Sequence, residues 1–133
     1  MIAKTFVLNI TGAPYASSAP LSALRFAKAV LAAGHTIHRV FLSQEGVTLA
    51  NGLSCPPQDE TNLTKAWQKL AAEHQLELAV CVAAALKRGI VDAKEAARYG
   101  LEQHNLAEGF ELTGLGQLVD AMANSDRTVT FSS

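Results

Sequence analysis

Charge and cysteine are both scarce in this chain, and each scarcity removes a class of function. Only 17% of the 133 residues are charged, and 11 Lys plus Arg against 12 Asp plus Glu leave a net charge of −1. Without a basic field there is little to neutralise a phosphate backbone, so direct binding of nucleic acid is not expected. The 2 cysteines, Cys55 and Cys81, imply no disulfide framework and fit a reducing, cytoplasmic setting. No apolar run approaches the ~20 residues that a membrane span requires. Met1-Ile2-Ala3-Lys4 leads directly into a strand-like run, without the pattern of a signal peptide. GxGxxG and GK[ST] phosphate loops, a paired CxxC, zincin spacing and a nucleophile elbow are all absent. His35, His38, His74 and His104 are scattered along the chain. Neither a metal nor a cofactor is therefore expected.

What is present is apolar. Hydrophobic residues make up 49% of the chain, which suggests that other subunits cover part of its surface. The length fits a single domain, 1–133. Strands are predicted over Lys4–Thr11, His35–Leu42, Leu76–Val82, Phe110–Thr113 and Asp126–Phe131. Ser17 or Ser18 caps the first helix, Pro20 sits in its first turn, and Gly34 ends it. Thr48–Asn51 forms a helical turn, followed by the loop Asn51–Asp59, where Pro56 and Pro57 exclude regular structure. Asp59 is expected to cap a helix running to His74, with Leu63, Trp67 and Leu70 on one face. Asp92 opens Ala93–Gly100, and Gly114–Asn124 is expected to turn Leu115, Leu118, Val119 and Met122 inward. Alternating strands and helices predict an α/β fold, with a five-stranded, mainly parallel sheet between helices on both faces.

The chemistry gathers at Leu76–Gly89 (LELAVCVAAALKRG), an apolar strand running into a short helical turn that Gly89 stops. Cys81 lies at that junction, where a parallel sheet commonly places its reactive group. Unpaired N–H groups of a following helix favour a thiolate, and Lys87 and Arg88 add positive charge if the helix folds them back. Such a thiolate suits persulfide chemistry, which needs partner proteins and no cofactor. The competing reading is an inert core cysteine. Glu45, on the loop after the second strand, shares the Cys81 rim if that strand neighbours the first; otherwise it is a solvated loop charge. Cys55 is either a second, resolving thiol or a small residue before a turn. The loop Gly12–Ser18 is an ordinary strand-to-helix turn or an anion cradle.

Five blocks, spanning nearly the whole chain, give a resemblance. They are TGAPYASSAP, HRVFLSQEGVTLAN, PPQDE with NLTKAWQKL, CVAAALKRGIVDAKEA, and GFELTGLGQLVDAMANSDRTVTF. The sequence resembles the DsrE/TusD family of sulfur-relay subunits, and Cys81-Val82-Ala83-Ala84-Ala85-Leu86-Lys87-Arg88-Gly89 is the most specific block. The resemblance implies a three-layer αβα sandwich and a sulfur-carrying role for the cysteine of that block, Cys81. It also implies a heterohexamer of two copies each of three homologous subunits, of the TusBCD/DsrEFH type. Sulfur would arrive from a small donor protein and leave to a DsrC/TusE-like acceptor with a flexible cysteine arm. The setting would be tRNA 2-thiouridine synthesis or dissimilatory sulfur oxidation. Cys55 has no counterpart in the quoted pattern. A rival from another class is a non-catalytic scaffold or small-ligand module.

Overall fold

The computed structural model describes residues 2–133. Eleven elements follow one another: β1 Thr5–Ile10, α1 Ala19–Ala32, β2 Thr36–Leu42, a 3-10 helix Gln44–Ala50, α2 Leu63–His74, β3 Leu78–Cys81, α3 Val82–Lys87, α4 Ala93–Arg98, β4 Phe110–Thr113, α5 Gly116–Ala123 and β5 Arg127–Phe131. The five strands form one sheet in the order β4-β3-β2-β1-β5, and every neighbouring pair is parallel. The α/β expectation is met. β2, not the cysteine-bearing β3, lies at the centre.

Side-chain alternation and register sort the sheet into two unlike faces. Leu8, Ile10, Val40, Leu42, Leu78, Val80, Phe110, Leu112, Val129 and Phe131 share one of them, and all are apolar. Phe26 of α1 packs edge-on against Phe6 and tilted against Phe131, which seats α1 on this face. α1 also packs against α2, whose Trp67 is fully buried and donates its indole N–H to the Pro20 carbonyl at 3.2 Å. The other face carries Val7, Asn9, Arg39, Phe41, Ala79, Cys81, Glu111, Thr113, Thr128 and Thr130, a mixed set. Right-handed crossovers explain the division. β1 to β4 step one way across the sheet, whereas β4 to β5 returns across all of it, so α5 alone takes the opposite face.

That lone helix corrects one expectation. Within α5 only Ala121 is buried, while Leu115, Val119 and Met122 are 58%, 64% and 46% exposed. Leu118 is half-buried against the core. The apolar stripe is real, but the sheet face beneath α5 is partly polar, and Arg39 holds the helix by donating to the Gln117 carbonyl at 2.8 Å. The rest of the stripe points outward.

Local boundaries follow their caps. Asn62, not Asp59, caps α2, its side chain accepting from the Lys65 N–H at 3.1 Å. The turn after Pro57 uses the intervening residues, with the Glu60 N–H donating to the Pro57 carbonyl at 2.9 Å. Tyr15 Oη accepts from the Leu63 N–H at 3.1 Å, meeting another orphan donor of α2. Ser17, rather than Ser18, serves α1, accepting from the Ala19 N–H at 3.1 Å. β3 starts at Leu78 because Gln75, left-handed at φ 56°, ends α2 and the Leu76 N–H closes it on the Ala71 carbonyl.

The turn expected at Thr48–Asn51 begins earlier, at Gln44. It is pressed onto the end of β1: the Gly46 N–H donates to the Thr11 carbonyl at 3.1 Å, and a Cβ there would overlap the Ile10 carbonyl. Gly46→Ala should therefore cost about 2–4 kcal/mol, as overpacking against backbone does. Urea unfolding checks this, and a wild-type midpoint would contradict the close approach.

Candidate functional site

All four residues of β3 are buried, so the strand is held from both faces. Its last residue, Cys81, is also the N-cap of α3, with backbone angles of −59° and 114°. The Cys81 side chain makes no capping hydrogen bond, which leaves its sulfur uncommitted. It is 8% exposed and is a free thiol.

Six residues of helix carry the chain from Cys81 to Arg88, the C-cap of α3. There Nε and Nη2 of Arg88 both donate to Glu45 Oε1, at 2.9 and 2.7 Å, and Nη1 donates to the Ala84 carbonyl at 3.0 Å. β2 lies between β1 and β3, so the 3-10 helix after it shares the rim with the Cys81 junction, and Glu45 meets α3 there. Lys87 is exposed and forms no ion pair among the described residues.

The electrostatics follow from this fork. The side-chain hydrogen bond from Arg88 holds Glu45 below its ordinary pKa, against opposing desolvation, and the Arg88 charge adds to the lowering. The same bond raises Arg88 against desolvation; the Glu45 charge and then a Cys81 thiolate raise it further. Arg88 thus stands within electrostatic reach of the sulfur while anchored to another element.

Two contributors were not singled out from the sequence. Asn105 accepts from the Val91 N–H at 2.9 Å and donates to the Gly89 carbonyl at 3.0 Å and to Asn51 Oδ1 at 3.3 Å. It ties the end of α3 to the segment after the 3-10 helix. Thr113 ends β4 directly beside Cys81 in the β3–β4 register. Neither has a sequence signature, because both roles depend on which strands become neighbours. Cys55 is exposed in the Pro-rich loop, its thiol donating to the Leu53 carbonyl at 3.4 Å, and it is not bonded to Cys81.

Fold and site together define an all-parallel α/β domain with a free thiol where an inner strand becomes a helix. Residues 4–131 match the DsrE/DsrF-like family, and the chain belongs to that family. It is 50% identical over 131 residues to a protein of Vibrio vulnificus named "Sulfurtransferase TusD homolog", covering 98% of this chain and 100% of that one. It is 49% identical over 126 residues to "Sulfurtransferase TusD" of Erwinia tasmaniensis, covering 95% of this chain and 98% of that one. Among solved structures, the YchN protein of E. coli superposes with a TM-score of 0.73 at 24% identity, covering 98% of this chain and 100% of that one. That likeness speaks for the fold.

The Glu45–Arg88 tether has a defined pH sign. A carboxylate with a lowered folded pKa contributes above its unfolded value and loses that contribution as pH falls through the folded one. The tether is therefore intact at neutral pH and released only under acid. Carbon NMR should place the Glu45 midpoint below the usual glutamate range, with Arg88→Ala returning it to that range. An ordinary midpoint in the intact protein would contradict the pair.

Proposed function

We propose that this chain is a TusD-type sulfurtransferase subunit that carries sulfur as a persulfide on Cys81. The supporting observation is the full-length relatedness to proteins named Sulfurtransferase TusD, with near-complete coverage of both chains. Cys81 suits the role because its sulfur makes no capping bond and a tethered cation stands nearby. In the transfer the Cys81 thiolate attacks the outer sulfur of a donor persulfide. An S–S bond forms at Cys81, the donor's own S–S bond breaks, and the electron pair leaves on the donor thiolate. An acceptor thiolate then attacks the outer sulfur and releases Cys81 as thiolate. The sequence has no net redox change and calls for no cofactor.

Arg88 offers charge to the anionic sulfur and Glu45 sets where Arg88 sits; Lys87, freely exposed, contributes to the approach of an anionic partner. The donor is a small sulfur-carrier protein and the acceptor a DsrC/TusE-like protein in the cytoplasm. The neutral net charge fits a relay in which a downstream enzyme meets the RNA, and we favour tRNA 2-thiouridine synthesis over dissimilatory sulfur oxidation. No helix among the described residues is long and apolar enough to cross a membrane.

A specific observation favours the rival scaffold reading, namely that Cys81 is mostly buried. Loading with a low-molecular-weight persulfide and intact mass measurement separates the two. Wild type should gain the mass of one sulfur atom and Cys81→Ser should lose that gain. Equal loading of both, or none on wild type, would contradict the carrier role.

We assign the exposed stripe of α5 to homologous subunits of a heterohexamer, which accounts for Leu115, Val119 and Met122 standing in water. Val119→Glu should leave thermal stability near wild type and abolish co-purification with two co-expressed homologous subunits. Unchanged assembly would place the interface elsewhere.

A further inference from the structure

Thr113 presents an unmet hydrogen bond beside the sulfur. Cys81 and Thr113 are the final register pair of β3 and β4, so their side chains stand on the same sheet face, one strand apart. Thr113 Oγ1 is buried and has no hydrogen-bond partner, Cys81 included. A buried hydroxyl without a partner destabilises a fold, and its retention calls for an explanation. A groove of about 460 Å³, lined among others by Arg39, Ala79, Glu111, Thr113 and Gln117, runs along this face beside α5.

We propose that Thr113 is the hydrogen-bond donor to the outer sulfur of the Cys81 persulfide, a role that rests on the carrier reading above. A persulfide extends the side chain by an S–S bond of about 2 Å. Neighbouring strands lie about 4.8 Å apart, so the added sulfur spans part of the gap that leaves Thr113 Oγ1 without a partner at Cys81. The chemistry is selective for the loaded state. After the Cys81 thiolate has taken the outer sulfur and the donor has left as thiolate, the new terminus loses its proton to water. A hydroxyl then donates to an anion, a stronger bond than one between neutral groups. The donated bond stabilises the persulfide while it waits for an acceptor, and it breaks as the acceptor thiolate takes that sulfur and the electron pair returns to Sγ. Thr113 acts on the transferred atom and leaves the resting thiol alone.

The test compares wild type, Thr113→Val, which keeps the shape and removes the hydroxyl, and Thr113→Ser, which keeps it. Each is loaded with glutathione persulfide, and alkylation of the outer sulfur is followed against pH. Thr113→Val should need a pH higher by about one unit for half-maximal alkylation, as losing one charge-assisted bond implies, with Thr113→Ser close to wild type. Unloaded Thr113→Val should melt no lower than wild type, because its methyl group replaces an unsatisfied hydroxyl. Identical pH profiles for wild type and Thr113→Val, or a marked loss of thermal stability in unloaded Thr113→Val, would overturn the assignment and leave the carrier role standing. Absence of any sulfur on wild type would instead overturn the carrier role and this assignment with it.

Discussion

Everything at the C-terminal rim of this sheet depends on the last residue of β3 being also the N-cap of α3. β3 is only four residues long, wholly buried, and paired on both sides, to β2 at Val40–Leu42 and to β4 at Phe110–Thr113. Such a strand cannot slide by one position without turning Leu78 and Val80 away from the apolar face. Cys81 is thereby fixed in height and direction by packing that has nothing to do with its chemistry. Because Cys81 is both the last residue of β3 and the N-cap of α3, its sulfur sits at the C-terminal edge of the core, mostly buried.

The Arg88 cation at the other end of α3 is placed by longer connections. Ser43 ends β2 with its N–H on the Ile10 carbonyl at 3.0 Å and its hydroxyl on Asn9 Oδ1 at 3.0 Å, which pins the start of the 3-10 helix to β1. Gly46 allows that helix to lie against the strand end, and Glu45 is thus aimed at α3. From the other side Asn105 holds the Gly89 carbonyl, so the α3 end carrying Arg88 is fixed as well. An exposed ion pair alone orders little. Here its two halves are already positioned by backbone contacts, and the pair needs only to choose a rotamer. The two sheet faces divide the remaining work. The apolar face supplies the packing that holds the strands, and the mixed face is left to Cys81, Thr113 and the groove.

The local parts of this arrangement were legible in the sequence, and the non-local parts were not. Phe110–Thr113 was readable from its flanking turns, and the Asp92 cap from its position, its side chain accepting from the Glu95 N–H at 2.8 Å. Cys81 at a strand-to-helix junction was readable because apolar run, alanine-rich turn and glycine follow in order. The cap of α2 falls on Asn62 rather than the expected Asp59, because Asn and Asp cap comparably well and the turn after Pro57, set by chain geometry, carries the helix start three residues on. The outward stripe of α5 could not be read, since periodicity reports a shared face without saying what covers it. Strand order is set by crossovers between distant segments, so the neighbourhood of Cys81 with Thr113, and the junctions made by Asn105, lay outside any local window.

With two free thiols in the chain, the location of the sulfur is the sharpest question. Proteolysis of the persulfide-loaded protein after alkylation, read by tandem mass spectrometry, answers it directly. The extra sulfur should lie on the peptide containing Cys81, with the Cys55 peptide unmodified. Sulfur on the Cys55 peptide, or on neither, would contradict a relay carried at the end of β3.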